Sequence, residues 1–285
     1  MTAKILFGLP VAQAIESETL SDARRFLLQE GRKPSLVVVL VGDNSASEIY
    51  VSRKREACER TGVNCRVIRK VNTAGLQQDL INLSEDDVVD GIILQLPLPG
   101  GESPTPYFPM IVSNKDVDVF SPNGVGLLDQ GKFGWEPCTP AAVLRILKHY
   151  KIATEGRQMV IINRSWVVGR PLMGMSIHAG VDATVTICHD KTPCALTEAH
   201  CLSADIIVVA VGKPDFLTKN MVKEGQTIID VGINRIGNRI VGDVASEVYD
   251  IVENITPVPK GVGVVTCAVL VKNVVSAAFS RVWHA

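Results

Sequence analysis

The sequence holds no CxxC pair and no HxxxH or mixed His/Cys cluster among its seven cysteines and five histidines, so a bound metal has no ligand spacing to support it. The cysteines (58, 65, 138, 188, 194, 201 and 267) form no even framework of the kind that staples small secreted domains, and several lie in apolar runs. That pattern suits reduced thiols in the cytoplasm. Charge of either sign is not in excess: 29 Lys and Arg stand against 30 Asp and Glu, a formal charge of -1. This excludes a global field that would draw the protein to nucleic acid or to an anionic membrane, so any anion site must be local. Aromatic residues are scarce at 5%. The apolar runs read as strand length, short of the ~20 residues of a membrane-spanning helix. There is no repeat, low-complexity tract or charge block.

What is present is aliphatic. Hydrophobic residues make up 46% of 285 positions, enough for two domains of ordinary size with a ligand cleft. Lys4, the apolar stretch Ile5 to Val11 and Ala12-Gln13-Ala14 resemble a short secretion signal. Gly8 and Pro10 interrupt that stretch, however, and the residues that follow to Glu30 read as an amphipathic helix stopped by Gly31 and Pro34.

Ser35 to Val41 (SLVVVLV) is a β-branched apolar run, the pattern of a strand buried on both faces in a parallel sheet. Ser45-Ala-Ser-Glu48 reads as a capping box opening a helix that Gly62 closes. Cys65 to Val71 is the next strand, Leu76 to Leu83 a helix, and Val88 to Leu96 a third strand. The order β-α-β-α-β predicts a doubly wound α/β fold with ligands beyond the carboxyl ends of the strands. After an irregular stretch from Pro97 to Pro140 the pattern restarts. It runs through a helix from Ala141, a strand Met159 to Ile162, a helix near Leu172 to Gly180, and strands at Ala183 to Cys188, Asp205 to Val211 and Thr227 to Val231. Cys267 to Trp283 is an apolar helix expected to pack back on the first domain.

Five places hold chemistry. Tyr50 and Lys54, four residues apart on one helix, share a face. A lysine works as an acid or base at neutral pH only where its surroundings lower its pKa, and by spacing alone such a pair is more often a solvated face. Gln95-Leu-Pro97-Leu-Pro99 ends a strand with an amide at the ligand side, or equally with an amide bonded to backbone. Lys115-Asp-Val-Asp118 carries two carboxylates, which could hold a metal or a ligand's amino groups. Asn163-Arg164-Ser165 through Gly169 occupies the position of a phosphate loop, although GxGxxG is absent. Asp190 stands where the adenosine ribose is expected. An acid there favours NAD, whereas Arg164 offers a fork suited to the extra phosphate of NADP.

In order and spacing, these segments resemble the bifunctional methylenetetrahydrofolate dehydrogenase/cyclohydrolase family, often called FolD. The others that carry the resemblance are Ser47-Glu-Ile-Tyr50-Val-Ser-Arg-Lys54, Pro137-Cys-Thr-Pro140, Val168-Gly-Arg-Pro171, Asp230-Val-Gly-Ile-Asn234, Val241-Gly-Asp-Val244 and Ile255-Thr-Pro-Val-Pro259. The resemblance implies two α/β domains: a folate-binding catalytic domain of residues 1–138 plus 265–285, and a Rossmann-like NAD(P)-binding domain of residues 139–264. It implies catalysis by Lys54 with Gln95, Tyr50 and Asp118, and folate contacts from Ser47, Tyr50, Pro97 and Asp118. Cofactor contacts are implied from Asn163, Arg164, Ser165, Asp190 and Ile233. It further implies a cytoplasmic homodimer in one-carbon metabolism, with a folate substrate, NADP as the cofactor (NAD the alternative) and no metal. Four departures stand out: Val119, Lys260 and Asn163 where the family commonly has glycine, and Val264 where it has proline. They leave room for a relative with one activity only. Retention of Lys54 speaks against a non-catalytic binding subunit, and the absence of Tyr-x-x-x-Lys after the cofactor loop speaks against a general alcohol dehydrogenase.

Overall fold

The computed structural model describes residues 2–132, 134–237 and 239–283, with the side chains of all of these except 45, 46, 282 and 283. In chain order the elements are β1 (Lys4–Ile5), α1 (Gly8–Glu30), β2 (Ser35–Val41), α2 (Ser45–Thr61), β3 (Asn64–Lys70), α3 (Leu76–Glu85), β4 (Gly91–Gln95), α4 (Pro122–Asp129), α5 (Cys138–His149), β5 (Gln158–Ile162), α6 (Gly169–Ser176), β6 (Thr184–Cys188), α7 (Cys194–Ser203), β7 (Ile206–Val209), β8 (Thr227–Asp230), β9 (Asn234–Ile236), β10 (Arg239–Val241), β11 (Asn254–Ile255) and α8 (Val262–Trp283). They form two compact units, one of residues 13–138 and 267–285, the other of residues 1–12 and 139–266.

The first unit is built on a parallel sheet of order β3-β2-β4, with β2 central and buried along nearly its whole length. Such a strand has no solvent face, which is why its sequence is an unbroken apolar run. Val37, Val39 and Val41 pack with Leu76, Leu80 and Leu83 of α3 and with Ile92 and Leu94 of β4. The last helix belongs to this unit from Cys267 onward. Arg281 donates to the Val89 carbonyl at 2.6 Å and joins Arg32 around the buried Asp90. Packing of the C-terminal helix on the first domain follows the expectation.

The second unit carries an all-parallel sheet of order β1-β11-β8-β7-β5-β6 and a small antiparallel β9–β10 hairpin. Its core joins Val160 and Ile162 of β5, Ile207 and Val209 of β7 and Ile228 of β8. Residues 1–12 lie here rather than with residues 13–138, because the two-residue strand β1 pairs in parallel with β11. A strand that short leaves no periodicity to read.

Three local expectations change. Gly8 and Pro10 do not interrupt α1 but begin it: proline is tolerated in a first turn, where its missing N–H has no partner to lose. The Gly8 amide donates to the Lys260 carbonyl at 2.8 Å. The cap of α2 is Asn44, whose side-chain oxygen accepts from the Ser47 amide at 3.2 Å. Glu48 is turned to Arg69 and does not reach back to close the expected capping box, whose Ser45 side chain lies outside the described residues. Finally, Val262–Arg281 of α8 is long and apolar enough to cross a membrane, unlike the short runs expected; 67% of an 18-residue stretch within it is buried. A core helix covered on most sides passes the same length test.

Candidate active site

Both ends of the first candidate cluster are fixed by the β3-β2-β4 sheet. Helix α2 leaves β2 at its carboxyl end, and β4 ends in parallel register beside it, with Leu40 opposite Gln95. Lys54, three turns into α2, reaches Gln95: its Nζ donates to Oε1 at 2.8 Å. The other end of the Gln95 carboxamide donates through Nε2 to the Leu96 carbonyl at 2.7 Å. The amide is thereby oriented with its oxygen toward the lysine. Gln95 is buried and Lys54 half-buried. Of the two alternatives left open for Gln95, the backbone bond is present through Nε2, while Oε1 meets Lys54.

Tyr50 lies one turn before Lys54 and is half-buried; removal from water pushes its phenol pKa up, which keeps the hydroxyl protonated. Ser47 is buried at the first turn of α2, with Oγ 3.5 Å from the Leu96 carbonyl. Pro97 is exposed, after a cis peptide bond from Leu96.

The Lys115 to Asp118 segment divides its labour. Lys115 is buried and spends its ammonium on the Asp86 and Leu83 carbonyls at 2.7 and 3.4 Å, with desolvation lowering its pKa. Asp116 is buried too. Desolvation raises its pKa to about 6, although the Ser121 amide donates to it at 2.6 Å. Asp118 alone of the two carboxylates is partly exposed and available. Val119 after it holds φ 60 with its side chain buried, so the loop keeps the left-handed turn that glycine would favour, now on a β-branched residue. The buried thiol of Cys138, pushed well above its usual pKa by desolvation, feels the negative charge of Asp118 and the positive charge of Lys54. Cys267, raised by burial, senses the same two groups, and Tyr50 senses Cys267. Tyr50, Lys54, Gln95 and Asp118 thus share one neighbourhood in a single unit.

In the second unit, Asn163 follows β5 and organises the loop. Its side-chain oxygen accepts from the Ser165 amide and hydroxyl, both at 2.7 Å, and from the Gly169 amide at 2.9 Å, while its nitrogen donates to the Ala210 carbonyl. The Asn163 side chain is therefore committed within the loop. Gly169 must be glycine, since a Cβ there would stand 2.2 Å from the Asn163 carbonyl oxygen. Arg164 and Asp190 do not act separately, as the sequence suggested, but form an ion pair; Lys191 Nζ lies 3.6 Å from the other Asp190 oxygen. Partial desolvation works against ionisation of Asp190, but the charges of Arg164 and Lys191 win and hold its carboxyl below the usual range. Ile233 is 38% exposed in the loop between β8 and β9.

Sequence reasoning quoted the Asp230 and Asp243 segments without finding their use. Asp230 accepts from the Gly232, Asp243 and Val244 amides at 3.0 to 3.1 Å, and Asp243 from the amides of Val211, Gly212 and Lys213 at 2.6 to 3.0 Å and from Asn234 Nδ2 at 2.8 Å. The pair ties together the carboxyl ends of β7 and β8. Gly232 and Gly242 give the carboxylates room, for an added Cβ would come within 2.1 and 1.8 Å of them. An acid with glycine two positions after it and a second acid directly after a glycine, with a strand before the first, were the only signal. Among the described residues no group of three or more His, Cys, Asp or Glu could hold a metal ion.

Comparison with known proteins adds a second line. A family profile described as tetrahydrofolate dehydrogenase/cyclohydrolase, catalytic domain, matches residues 6–118, and one described as the NAD(P)-binding domain of the same family matches residues 137–282. The bifunctional protein FolD of Campylobacter curvus is 42% identical over 284 residues, covering 98% of this chain and 96% of its own. The crystal structure of the bifunctional enzyme FolD, methylenetetrahydrofolate dehydrogenase/cyclohydrolase, from Campylobacter jejuni superposes with TM-score 0.90 at 40% identity, covering 98% of this chain and 99% of that one. The Trypanosoma brucei methylenetetrahydrofolate dehydrogenase-cyclohydrolase, solved with NADP and an inhibitor, gives TM-score 0.92 at 30% identity, covering 99% of each chain.

Proposed function

The chain belongs to the tetrahydrofolate dehydrogenase/cyclohydrolase family, and from that premise we propose that it oxidises methylenetetrahydrofolate with NADP and hydrolyses the methenyl product to formyltetrahydrofolate. The observation that carries the chemistry is the Lys54–Gln95 hydrogen bond of 2.8 Å beyond the carboxyl end of β4.

Cyclohydrolysis adds water to the methenyl carbon, removes a proton from that water and protonates the nitrogen that leaves when the ring opens. Lys54 is the group that moves those protons. Gln95 takes one of the three ammonium donors and so fixes the direction of the rest, its own orientation being set by the Leu96 carbonyl. Asp118 pairs with the amino and ring N–H groups of the pterin, a planar donor face that a carboxylate matches with two charge-assisted bonds. Tyr50, kept neutral, lines the folate with its ring, and Ser47 and Pro97 border the same strand end.

The second unit suits NADP on its own geometry. Gly169 lets α6 start directly against the end of β5, and Asn163 and Ser165 hold that loop in shape. Arg164 and Lys191 set two cations against one carboxylate at Asp190, a local excess fit for a phosphate monoester. Bound NADP supplies the acceptor for the hydride leaving the folate methylene, and Ile233 offers an apolar contact in the loop after β8. A cytoplasmic setting agrees with seven free thiols. We place the enzyme there as a homodimer, which a solution mass of two chains would support.

The test is to incubate the purified protein with methylenetetrahydrofolate and NADP while following reduced nicotinamide and methenyl absorbance together. Reduced nicotinamide should appear without lasting methenyl accumulation. Lys54→Met should let methenyl accumulate or stop both steps, and normal methenyl hydrolysis by that variant would remove Lys54 from the mechanism. No turnover with either NADP or NAD would overturn the reading.

A further inference from the structure

Asp118 stands between two constrained neighbours. Before it, Asp116 bridges to Ile92 of β4, its carbonyl accepts from Trp135 Nε1 at 2.9 Å, and the Val117 side chain crowds Gly91, where an added Cβ would come within 2.9 Å of a Val117 methyl. After it, Val119 turns through φ 60. The Val117 carbonyl in between is met by Asn273 Nδ2 at 2.9 Å and by the Cys138 thiol at 3.4 Å. The same Asn273 nitrogen donates to the Glu136 carbonyl at 2.8 Å and touches Cys138 Sγ at 3.6 Å. Asn273 is 4% exposed, in a helix whose neighbouring buried positions are leucine, valine and alanine. Both of its backbone partners are acceptors, so only the NH₂ end of the amide can face them. One side chain of the last helix thus binds two carbonyls, one adjoining Asp118 and one just before α5. An apolar residue of similar volume would fill the space and leave both carbonyls without this donor.

We propose that Asn273 is the positioning residue for Asp118, so that the C-terminal helix sets the angle at which the pterin carboxylate meets its substrate. This rests on the reading of Asp118 as the folate-binding acid. Asn273 touches no substrate itself; it acts by fixing the peptide to which Asp118 is attached. Its loss should be felt in folate binding rather than in cofactor binding.

The experiment compares Asn273→Leu, Asp118→Ala and the double variant, with Val275→Ala as a control that removes buried volume from the same helix without touching a hydrogen bond. Asn273→Leu should raise the methylenetetrahydrofolate KM about five- to tenfold, with kcat within about twofold and the NADP KM unchanged. On the Asp118→Ala background it should add nothing, and Val275→Ala should lower the thermal midpoint without moving the folate KM. Should Asn273→Leu fail to fold, Asn273→Ser, which keeps a single donor on a shorter arm, is expected to show the same KM pattern to a smaller degree. An unchanged folate KM in the Asn273 variants, a further rise of the same factor without Asp118, or an equal rise in Val275→Ala would each overturn the proposal. If Asp118→Ala alone leaves the folate KM unaltered, the reading of Asp118 falls first and the proposal falls with it. A raised KM there beside a normal one in the Asn273 variants sinks the proposal alone.

Discussion

Asp190 is paired with Arg164 and approached by Lys191, all on an exposed surface, and this changes what each residue does for cofactor choice. A carboxylate facing a ribose repels a phosphate there, but one already bound to a guanidinium is partly neutralised, and the phosphate can take its place on Arg164. The carboxylate then competes with the phosphate instead of vetoing it. Exposed charges in contact attract each other only weakly in water and are screened by salt, so the pair gives way readily to a stronger anion. Asp190→Asn should therefore raise the NADP-to-NAD ratio of kcat/KM about three- to tenfold, mostly through the NADP KM, and added salt should shrink the gain. Steady-state kinetics with both cofactors checks it, and a ratio equal to that of the wild type would place Asp190 away from the phosphate. Residue identities were legible in the sequence at this scale, but their pairing was not. Arg164 and Asp190 lie 26 positions apart on loops after two different strands, and nothing in spacing says that one consumes the other. The same holds for Asn163, where the resemblance implied glycine and whose side chain organises the loop.

Turns and strands carry the next set of consequences. Val119 and Lys260, where the family resemblance implied glycine, both hold left-handed backbone, at φ 60 and φ 83. The sequence could show that glycine was missing, but not that the backbone would keep the glycine conformation regardless. The two sites should respond oppositely to restoring it. Left-handed backbone costs a non-glycine residue roughly 1–2 kcal/mol, and glycine returns up to about 1 kcal/mol of that as extra freedom in the unfolded chain. Lys260 is exposed and has no burial to lose, so Lys260→Gly should stabilise by about 0.5–1 kcal/mol, read as a rise in thermal midpoint. Val119 is buried, and losing its side chain forfeits roughly 1.5–3 kcal/mol, which outweighs the relief; Val119→Gly should lower the midpoint. A gain at Val119 or a loss at Lys260 would show that strain and burial have been weighed wrongly. Strands such as β2, β5 and β8 were legible because burial on both faces demands continuous apolar residues. The two-residue strands β1 and β11 and the Asp230–Asp243 knot were not, because partners 13 or more positions away define them.

Across the whole molecule, each compact unit contains one buried carboxyl with a raised pKa, and together they make stability depend on pH in a direction opposite to that of a salt-bridged acid. Asp116 in the first unit is raised to about 6 by desolvation. Asp230 in the second is raised to about 7, chiefly by desolvation and further by the charge of Asp243, while three backbone N–H groups pull the other way. In the unfolded chain both return to the ordinary value of about 3.9. Between that value and the folded one, the folded state holds a proton that the unfolded state has released, so stability falls as pH rises. The contribution is complete below about pH 4, is lost as pH climbs through about 6 for Asp116 and about 7 for Asp230, and is flat above. At about 1.4 kcal/mol per unit, Asp116 represents on the order of 3 kcal/mol at most and Asp230 on the order of 4. Because two units need not unfold together, the quantity to compare is the urea midpoint, not an extrapolated free energy. The wild-type midpoint should fall from about pH 5 to about pH 8. Asp116→Asn and Asp230→Asn, neutral throughout, should start lower because each loses an acceptor for backbone amides, and each should show a shallower fall. The change in slope isolates the carboxyl from every other titrating group. Slopes identical to that of the wild type in both variants would mean that neither acid gains a proton on folding.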